Sequence, residues 1–321
     1  MFYFPTPQWD GSVAKDCNPL FGFGFGLLVL FCKGELQAGD AEREAGDRHR
    51  GEHWDRRADG VSPGADGSSR FDHSTDRGQT TESKWQAKRS HTHMGSSVHT
   101  NANLSPQVVE RCRELGAASA RYISGTMEDM AFADHVVKEA GTLLGGLDML
   151  ILNHVGASYF GYYNGDVEHV RKLLEINFLS YVAMTTTALP MLKESKGSIV
   201  VVSSMAGKVG FPFTVPYSAT KFALDGFFSS LRQEFTMQNV NVSITLCILG
   251  FIDTERAVRD AAGVLLSPPA PRAECALEIV RAGALRLREL YYRYGSTRLP
   301  LLLRDCAADL LDYLVRSRYR L

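Results

Sequence analysis

The sequence predicts an α/β fold over residues 105–321, in which a parallel β-sheet carries helices on both faces. Short apolar runs alternate there with longer stretches whose apolar residues recur at helical spacing. The runs LDMLIL (147–152) and SIVVVS (198–203) are almost continuously apolar, which is typical of parallel strands covered on both faces. Such alternation indicates right-handed β-α-β crossovers within one sheet.

The predicted elements follow one another along this region. Helices are predicted over residues 106–115, 130–144, 166–192, 217–237, 253–262 and 273–287, with an amphipathic C-terminal helix over 299–321. Strands are predicted over 120–124, 147–152, 198–203, 240–247 and 290–294. Gly116 and the pair Gly145-Gly146 are typical helix stops, and the proline-rich stretch 268–271 separates two of the helices.

Residues 1–104 have a different composition. Residues 33–103 are rich in Gly, Asp, Glu, Arg, His and Ser and contain few large aliphatic residues, so this stretch buries too little apolar surface to offset its chain entropy. We predict a disordered leader. An apolar segment at 19–32 is 14 residues long, below the roughly 20 residues that span a bilayer. It is either the core of a signal sequence or short anchor, or a segment that never meets a membrane.

Charge and cysteine content exclude several classes of function. The formal net charge of −1 gives no electrostatic reason to expect a nucleic-acid partner. Six cysteines stand at positions 17, 32, 112, 247, 275 and 306, and no pair has the spacing of metal ligands. We therefore expect buried thiols and no metal site.

Four polar side chains form a candidate proton-transfer site. Tyr217 and Lys221 are four residues apart at the start of a predicted helix, so both lie on one helical face. A lysine ammonium beside a phenol is expected to lower the tyrosine pKa toward working pH. Ser204 follows a predicted strand, at the sheet edge where ligands bind in parallel folds. Asn177 lies among apolar residues of the long helix, needs a partner, and could hold a water leading to Lys221.

Each of these residues alone is a weak signal, but their order on the chain is specific. Asn177, Ser204, Tyr217 and Lys221 resemble the Asn-Ser-Tyr-Lys tetrad of the short-chain dehydrogenase/reductases. Longer segments, among them GGLDMLILNH, YSATKFALDGFFSSLR and VNVSITLC, resemble the 11β-hydroxysteroid dehydrogenase branch from about residue 105 onward. The resemblance implies a Rossmann-like fold and hydride transfer between NADP(H) and a steroid 11-keto or 11-hydroxy group. It also implies a homodimer on the luminal side of the endoplasmic reticulum membrane.

The resemblance also implies a role for individual residues. Tyr217 would act as acid and base, Lys221 as its activator and ribose anchor, Ser204 as the partner of the substrate oxygen, and Asn177 as holder of a relay. Residues implied to bind the cofactor are, besides Tyr217 and Lys221, Thr126 and Met127 beside the adenine, Asn153 after the fourth family strand, and Leu249, Gly250, Ile252 and Thr254 in the turn around the nicotinamide.

The chain departs from the family before residue 106, where a strand, a glycine-rich turn and a helix are expected. Glycines at 60–67 and 21–26 have neither a buried strand before them nor a helix after them. The first β-α-β elements are therefore predicted to be missing, which would expose the edge of an apolar strand. Without the phosphate-binding turn, we expect NADPH affinity at least about a hundredfold weaker than in intact relatives.

Two other interpretations stay open beside the enzyme. The chain could be an inactive truncated isoform or paralogue that keeps the dimer surface but binds no cofactor. It could also be a membrane-associated scaffold that uses the C-terminal helix. Binding of NADPH by the purified protein separates the first interpretation from both others.

Aromatic residues lie on loops that follow the predicted strands. Phe211, Tyr159, Phe160, Tyr162 and Tyr163 are expected either to line an apolar substrate pocket for a flat polycyclic ligand or to form ordinary loop packing. Phe211 is the member that we assign to substrate binding together with Ser204 and Tyr217.

Overall fold

The structure is a computed structural model that describes residues 31–33 and 104–320. The described strands are β1 Phe31–Lys33, β2 Ser119–Arg121, β3 Met149–Leu152, β4 Ser198–Ser204, β5 Ser243–Leu249 and β6 Glu289–Tyr291. The described α-helices are α1 Leu104–Glu114, α2 Met130–Leu144, α3 Val167–Leu174, α4 Ser180–Ser195, α5 Val215–Met237, α6 Glu255–Ala261, α7 Arg272–Ala284, α8 Tyr294–Leu301 and α9 Ala308–Arg316. Most of the predicted disordered leader, the glycine runs and residues 19–30 of the apolar segment lie outside the described residues, whereas residues 31–33 of this leader form β1.

A four-stranded parallel sheet in the order β3-β4-β5-β6 forms the centre of the fold. Its longest pairing aligns Ser198 with Ser243 at one end and Ser204 with Leu249 at the other. Among the described residues, no strand pairs with the outer side of β3. The predicted parallel sheet is confirmed, and its strands are the runs with the most continuous apolar character.

Helices cover both faces of this sheet, as predicted. Side chains alternate along β4, so that Ile199 and Val201 lie in the larger core with α2, α4 and α5. Val200 and Val202 point to the opposite face, where they pack with Cys275 and other residues of α7. Both layers exclude water from the sheet, so the polar side chains at its carboxyl ends have a rigid support.

Strand β2 corrects the prediction that every strand belongs to the parallel sheet. The described β2 pairs antiparallel with β1, with Ala120 opposite Cys32, and forms a separate two-stranded sheet. Its sequence, Ser-Ala-Arg, lacks the continuous apolar run that a strand needs between two layers of helices.

The helix predicted over 166–192 is continuous but not uniform. Asp166 caps its start by accepting a hydrogen bond from the His169 backbone N–H, at 2.9 Å. A π-helical turn at Glu175–Leu179 separates α3 from α4, and the helix ends at Ser195. One π turn adds a residue to the helical repeat, so the prediction of a regular helix was wrong at this point.

The C-terminal region also differs from its prediction as a single helix over 299–321. It forms α8 and α9, joined by a tight turn in which the N–H groups of Leu302, Leu303 and Arg304 each bond the carbonyl three residues earlier. Pro300 lies inside α8, and the break follows it where these 3₁₀-type bonds replace the α-helical ladder. No helix within residues 31–33 and 104–320 has both the length and the apolar character needed to cross a bilayer.

Candidate active site

Ser204 is the last residue of β4, at the carboxyl edge of the sheet. Its hydroxyl donates to the Leu249 carbonyl at 3.4 Å and accepts from the Ala206 N–H at 3.2 Å. The second contact caps a short 3₁₀ turn, Met205–Gly207, that leaves the strand. The side chain is only partly buried, so its oxygen stays accessible to a ligand at the edge where parallel folds bind ligands.

Tyr217 and Lys221 lie in the first two turns of α5, which has Pro216 near its start. The Lys221 Nζ donates to the Val202 carbonyl of β4 at 2.9 Å and lies 5.6 Å from the centroid of the Tyr217 ring. The Ser204 side chain lies near the Tyr217 phenol and acts to lower its pKa. The structure therefore brings together the three residues that the sequence predicted, on a strand and a helix that hydrogen-bond through Lys221.

A close backbone contact fixes the distance between the 3₁₀ turn and α5. A Cβ added at Gly207 would lie 2.6 Å from the Lys221 carbonyl oxygen, closer than real Cβ atoms approach backbone. Only glycine lets the turn lie directly on α5. This contact keeps Ser204 within reach of Tyr217.

The electrostatics differ from the predicted lowering of the tyrosine pKa. Burial raises the pKa of Tyr217, and the Ser204 side chain only partly opposes that rise. Burial also lowers the pKa of Lys221 to about 7, so its ammonium is readily lost near neutral pH. The same low-polarity surroundings disfavour both charged forms. Tyr217 is thus a neutral phenol, which is the form that can donate a proton.

Lys221 also has hydrogen-bonding capacity beyond its one protein contact. Its side chain is 3% exposed, and the bond to Val202 uses one of the three N–H donors of an ammonium. Buried donors are normally satisfied, so the remaining ones fit the hydroxyl groups of a ligand at this position. The residues present therefore fit the ribose end of a nicotinamide cofactor, as the sequence resemblance implies.

Asn177 lies in the π-helical turn and is completely buried. Its carbonyl oxygen accepts from the Gly156 N–H at 2.7 Å, and its amide donates to the Thr220 hydroxyl at 3.2 Å. The side chain thus joins the loop after β3 to the residue before Lys221. These two contacts make Asn177 a positioning residue for α5, and its predicted role in holding a water stays a prediction.

His154 and Tyr181 support the site but received no role in the sequence interpretation. The His154 Nε2 contacts the Ser180 hydroxyl at 2.7 Å and the Ile176 carbonyl at 3.0 Å, while the Tyr181 hydroxyl donates to the His154 carbonyl at 2.7 Å. Burial lowers the pKa of His154 to about 3, so the ring is neutral. The Tyr181 ring lies 5.9 Å from the Lys221 Nζ. The sequence contains a signal for Tyr181, because it follows Asn177 by four residues, the spacing that places two side chains on one helical face.

The residues predicted to contact the adenine lie just before α2. Thr126 is exposed, and its hydroxyl accepts from the Glu128 N–H at 3.3 Å. Met127 is 4% exposed and its side chain belongs to the larger core. A nucleotide could therefore meet the side chain of Thr126 but only the backbone of Met127, and both roles stay predictions.

The segment predicted to surround the nicotinamide is held firmly after β5. Leu249, Ile252 and Thr254 are buried, and the Thr254 hydroxyl caps α6 by accepting from the Ala257 N–H at 3.3 Å. Gly250 is exposed at the end of the strand. Asn153 directly follows β3 and is partly buried. These positions lie after the carboxyl ends of β3 and β5, so they share an edge with Ser204.

The aromatic residues proposed for a substrate pocket divide into two groups. Phe160 and Phe211 pack in a cluster with Phe213, Leu311 and Tyr319. Within it, the Phe160 and Tyr319 rings stack 6.3 Å apart. The other three are more open. Tyr162 and Tyr163 are 65% and 46% exposed, although the Tyr162 ring also meets Phe213 edge-to-face at 4.9 Å, and Tyr159 stacks on His169 of α3 at 4.9 Å.

Comparison with known proteins identifies the family. Residues 88–263, more than half of the chain, match the family of short-chain dehydrogenases. A Gallus gallus protein named hydroxysteroid 11-beta-dehydrogenase 1-like is 56% identical over 58% of this chain and 65% of its own length. A Danio rerio protein of the same name is 50% identical over 68% of this chain and 75% of its own length. The chain thus spans slightly less than two thirds of the chicken relative.

Solved structures include a Sinorhizobium meliloti chain assigned as a short-chain alcohol dehydrogenase, with a TM-score of 0.49 and 18% identity over 58% of this chain and 79% of that chain. Family membership rests on the sequence match and on the relatives, and the observed parallel sheet agrees with it. The chain belongs to the short-chain dehydrogenase family.

Proposed function

We propose that this protein is an NADP(H)-dependent oxidoreductase that interconverts the 11-keto and 11-hydroxy groups of steroids. The observation that carries the proposal is the contact set of Ser204, Tyr217 and Lys221 at the carboxyl edge of the sheet. The names of the relatives support the steroid substrate, although the match spans only part of their length.

Each residue of the site would have a separate role in the reaction. A bound nicotinamide would supply or accept the hydride. Ser204 would bind the substrate oxygen, and Tyr217 would donate its phenolic proton as negative charge develops on that oxygen. The neutral state of Tyr217 suits ketone reduction, in which the site must give a proton away. Lys221 would hold ribose hydroxyls with its unused donors, and Thr126, Gly250 and Thr254 would contact other parts of the nucleotide.

Replacement of Tyr217 by Phe tests the proton transfer. Tyr217→Phe removes the acid with little change in packing, so we expect kcat for steroid ketone reduction to fall about 10²–10⁴-fold. Steroid affinity should change much less, because the ring system of the ligand loses no apolar contact. Tyr313→Phe, on an exposed tyrosine of α9, is the matched control. A Tyr217→Phe protein that keeps more than about a tenth of kcat would refute the mechanism.

Titration with NADPH, followed by nicotinamide fluorescence, tests whether the chain holds the cofactor. Saturable binding that Lys221→Met weakens would support the proposed site. Saturable binding that Lys221→Met leaves unchanged would refute the assignment of Lys221. No saturable binding would favour the alternative, an inactive relative that keeps the fold around Tyr217.

The proposal extends to the assembly and location that the sequence resemblance implies, a homodimer on the luminal side of the endoplasmic reticulum membrane. Light scattering of the purified protein tests the dimer. Asn241 starts an Asn-Val-Ser sequon, and this residue is exposed. A luminal protein modified there should lose an endoglycosidase-sensitive mobility shift on Asn241→Gln.

A further inference from the structure

A polar cavity lies at the amino end of the parallel sheet. It has a volume of about 190 Å³ and is lined by Arg232, Phe235, Thr236, Val240, Val242, Ser243, Ile244, Arg286 and Arg288. Ser243 and Ile244 begin β5, whereas Leu249, beside Ser204, ends it. A seven-residue strand spans roughly 20 Å, so the cavity is separate from the candidate active site.

Three guanidinium groups give this cavity a positive charge. They come from α5 (Arg232) and from the loop between α7 and β6 (Arg286 and Arg288), and the lining contains no Asp or Glu. The carboxylates nearest to Arg232, those of Asp225 and Glu289, form ion pairs with Lys208 at 2.6 and 3.0 Å. One lysine between two carboxylates leaves one negative charge that offsets Arg232, so the net positive charge of the cavity comes from Arg286 and Arg288.

Hydrogen bonds hold two of the arginines in place. Arg232 donates from Nε to the Ile244 carbonyl and from Nη2 to the Arg288 carbonyl, both at 3.1 Å. Arg286 donates from Nη2 to the Asn241 side-chain oxygen at 2.8 Å and from Nη1 to the Lys196 carbonyl at 2.6 Å. Every one of these acceptors is an uncharged oxygen. These hydrogen bonds thus orient the guanidinium groups without neutralising them.

Donors remain unused in the cavity. The Nη1 of Arg232 is buried and has no hydrogen-bond partner among the described residues. The Arg288 side chain is exposed and makes no hydrogen bond or ion pair within the described part of the chain. A buried cationic donor without a partner is rare because its desolvation is costly, so its presence points to a ligand that supplies an acceptor.

We propose that this cavity binds a phosphoryl group, either of inorganic phosphate or of a small phosphate monoester. The remaining positive charge of Arg286 and Arg288 favours a dianion, and planar guanidinium forks match the oxygen geometry of phosphate. The volume is below the roughly 300–1,000 Å³ of sites for drug-sized ligands, so the occupant is small. Phe235, Val240 and Val242 form an apolar wall that the organic part of a monoester could contact.

Isothermal titration of the purified full chain with inorganic phosphate at constant ionic strength tests the proposal. Arg288→Gln removes an exposed side chain and should leave the fold intact, while weakening phosphate binding about tenfold or more. Arg316→Gln, on an exposed arginine of α9, is the charge-matched control and should bind like the unmodified protein. Arg232→Lys keeps the charge but loses the fork, and should also weaken binding.

A parallel titration with glycerol 3-phosphate identifies the source of the phosphoryl group. If the monoester binds more tightly than phosphate, its organic part contacts the apolar wall. If the two bind equally, the site is one for inorganic phosphate. The proposal is overturned if the unmodified protein shows no saturable binding of either probe. It is equally overturned if Arg288→Gln binds as tightly as the unmodified protein, or if Arg316→Gln weakens binding to the same extent.

Discussion

Replacing Lys221 with Met should stabilise the protein while abolishing the proposed function of the site. The Lys221 side chain is 3% exposed, lies between β4 and α5, and has no carboxylate partner among the described contacts. Burial of the ammonium lowers its pKa from 10.5 in an exposed lysine to about 7. Met is unbranched and apolar, so it can occupy the same space without a desolvation penalty.

The pKa of Lys221 sets both the sign and the size of the effect. Because the folded-state pKa is below the unfolded-state value, the unfolded chain binds more protons between about pH 7 and 10.5, and the free energy of unfolding rises with pH across that window. The full penalty is present below pH 7 and corresponds to about 5 kcal/mol for a shift of this size. Between pH 7 and 9 the free energy of unfolding should increase by about 2 kcal/mol from this group alone.

Urea denaturation of the unmodified protein and of Lys221→Met at pH 7, 8 and 9 measures the effect. The difference in the free energy of unfolding between the two proteins should be largest at pH 7 and shrink by about 2 kcal/mol at pH 9. Lys138→Met, on an exposed lysine of α2, is the control and should track the unmodified protein at every pH. Parallel stability curves for the unmodified protein and Lys221→Met would show that Lys221 is not a buried charge and refute the reasoning.

Three further predictions concern the support of the site and the thiols. Gly207→Ala should reduce the proposed steroid ketone reduction and destabilise the protein by about 1–3 kcal/mol, since its Cβ meets the backbone of α5. Gly226→Ala in α5, which has open space around it, should be neutral or stabilising by up to about 1 kcal/mol. Equal effects of the two substitutions in urea denaturation would contradict the contact of Gly207. Asn177→Leu should cost about 2–4 kcal/mol in the same assay because two buried hydrogen bonds are lost, and a loss below about 1 kcal/mol would argue against them. Cys306 is an exposed free thiol, so native labelling with a thiol reagent should fall by one equivalent in Cys306→Ser, and unchanged labelling would show that this thiol is covered.

Local chemistry explains which parts of the fold could be predicted from the sequence. Apolar runs at 147–152 and 198–203 predicted two strands because a strand that is covered on both faces is almost continuously apolar. The break between α8 and α9 was missed because leucines at helical spacing on both sides suggested one helix. The partner of β2 could not be predicted, since the pairing of Ala120 with Cys32 joins distant parts of the chain.

The candidate site was predictable where it depends on short spacing and less so where it depends on burial. Tyr217 and Lys221 share a face because they are four residues apart, and that needs no tertiary information. The raised pKa of Tyr217 depends on how completely the surrounding layers exclude water, which no local pattern reports. The π turn that aims Asn177 at Gly156 could not be predicted either, because Leu174, Phe178 and Val182 follow one another at a spacing of four that also fits a regular helix.

Proton transfer and cofactor binding depend on different parts of this chain, so they can fail independently. The described contacts that position Tyr217 lie within residues 154–249 and include those of Asn177, Ser204 and Lys221. The family's phosphate-binding turn is expected before residue 106, in a region whose sequence gives no match to it. A protein that binds NADPH weakly but shows the pH-dependent stability of a buried Lys221 would therefore have an intact acid and a defective nucleotide site. If the unmodified protein instead shows the same pH dependence as Lys221→Met, the defect lies in the proton-transfer site itself, whatever the NADPH titration shows.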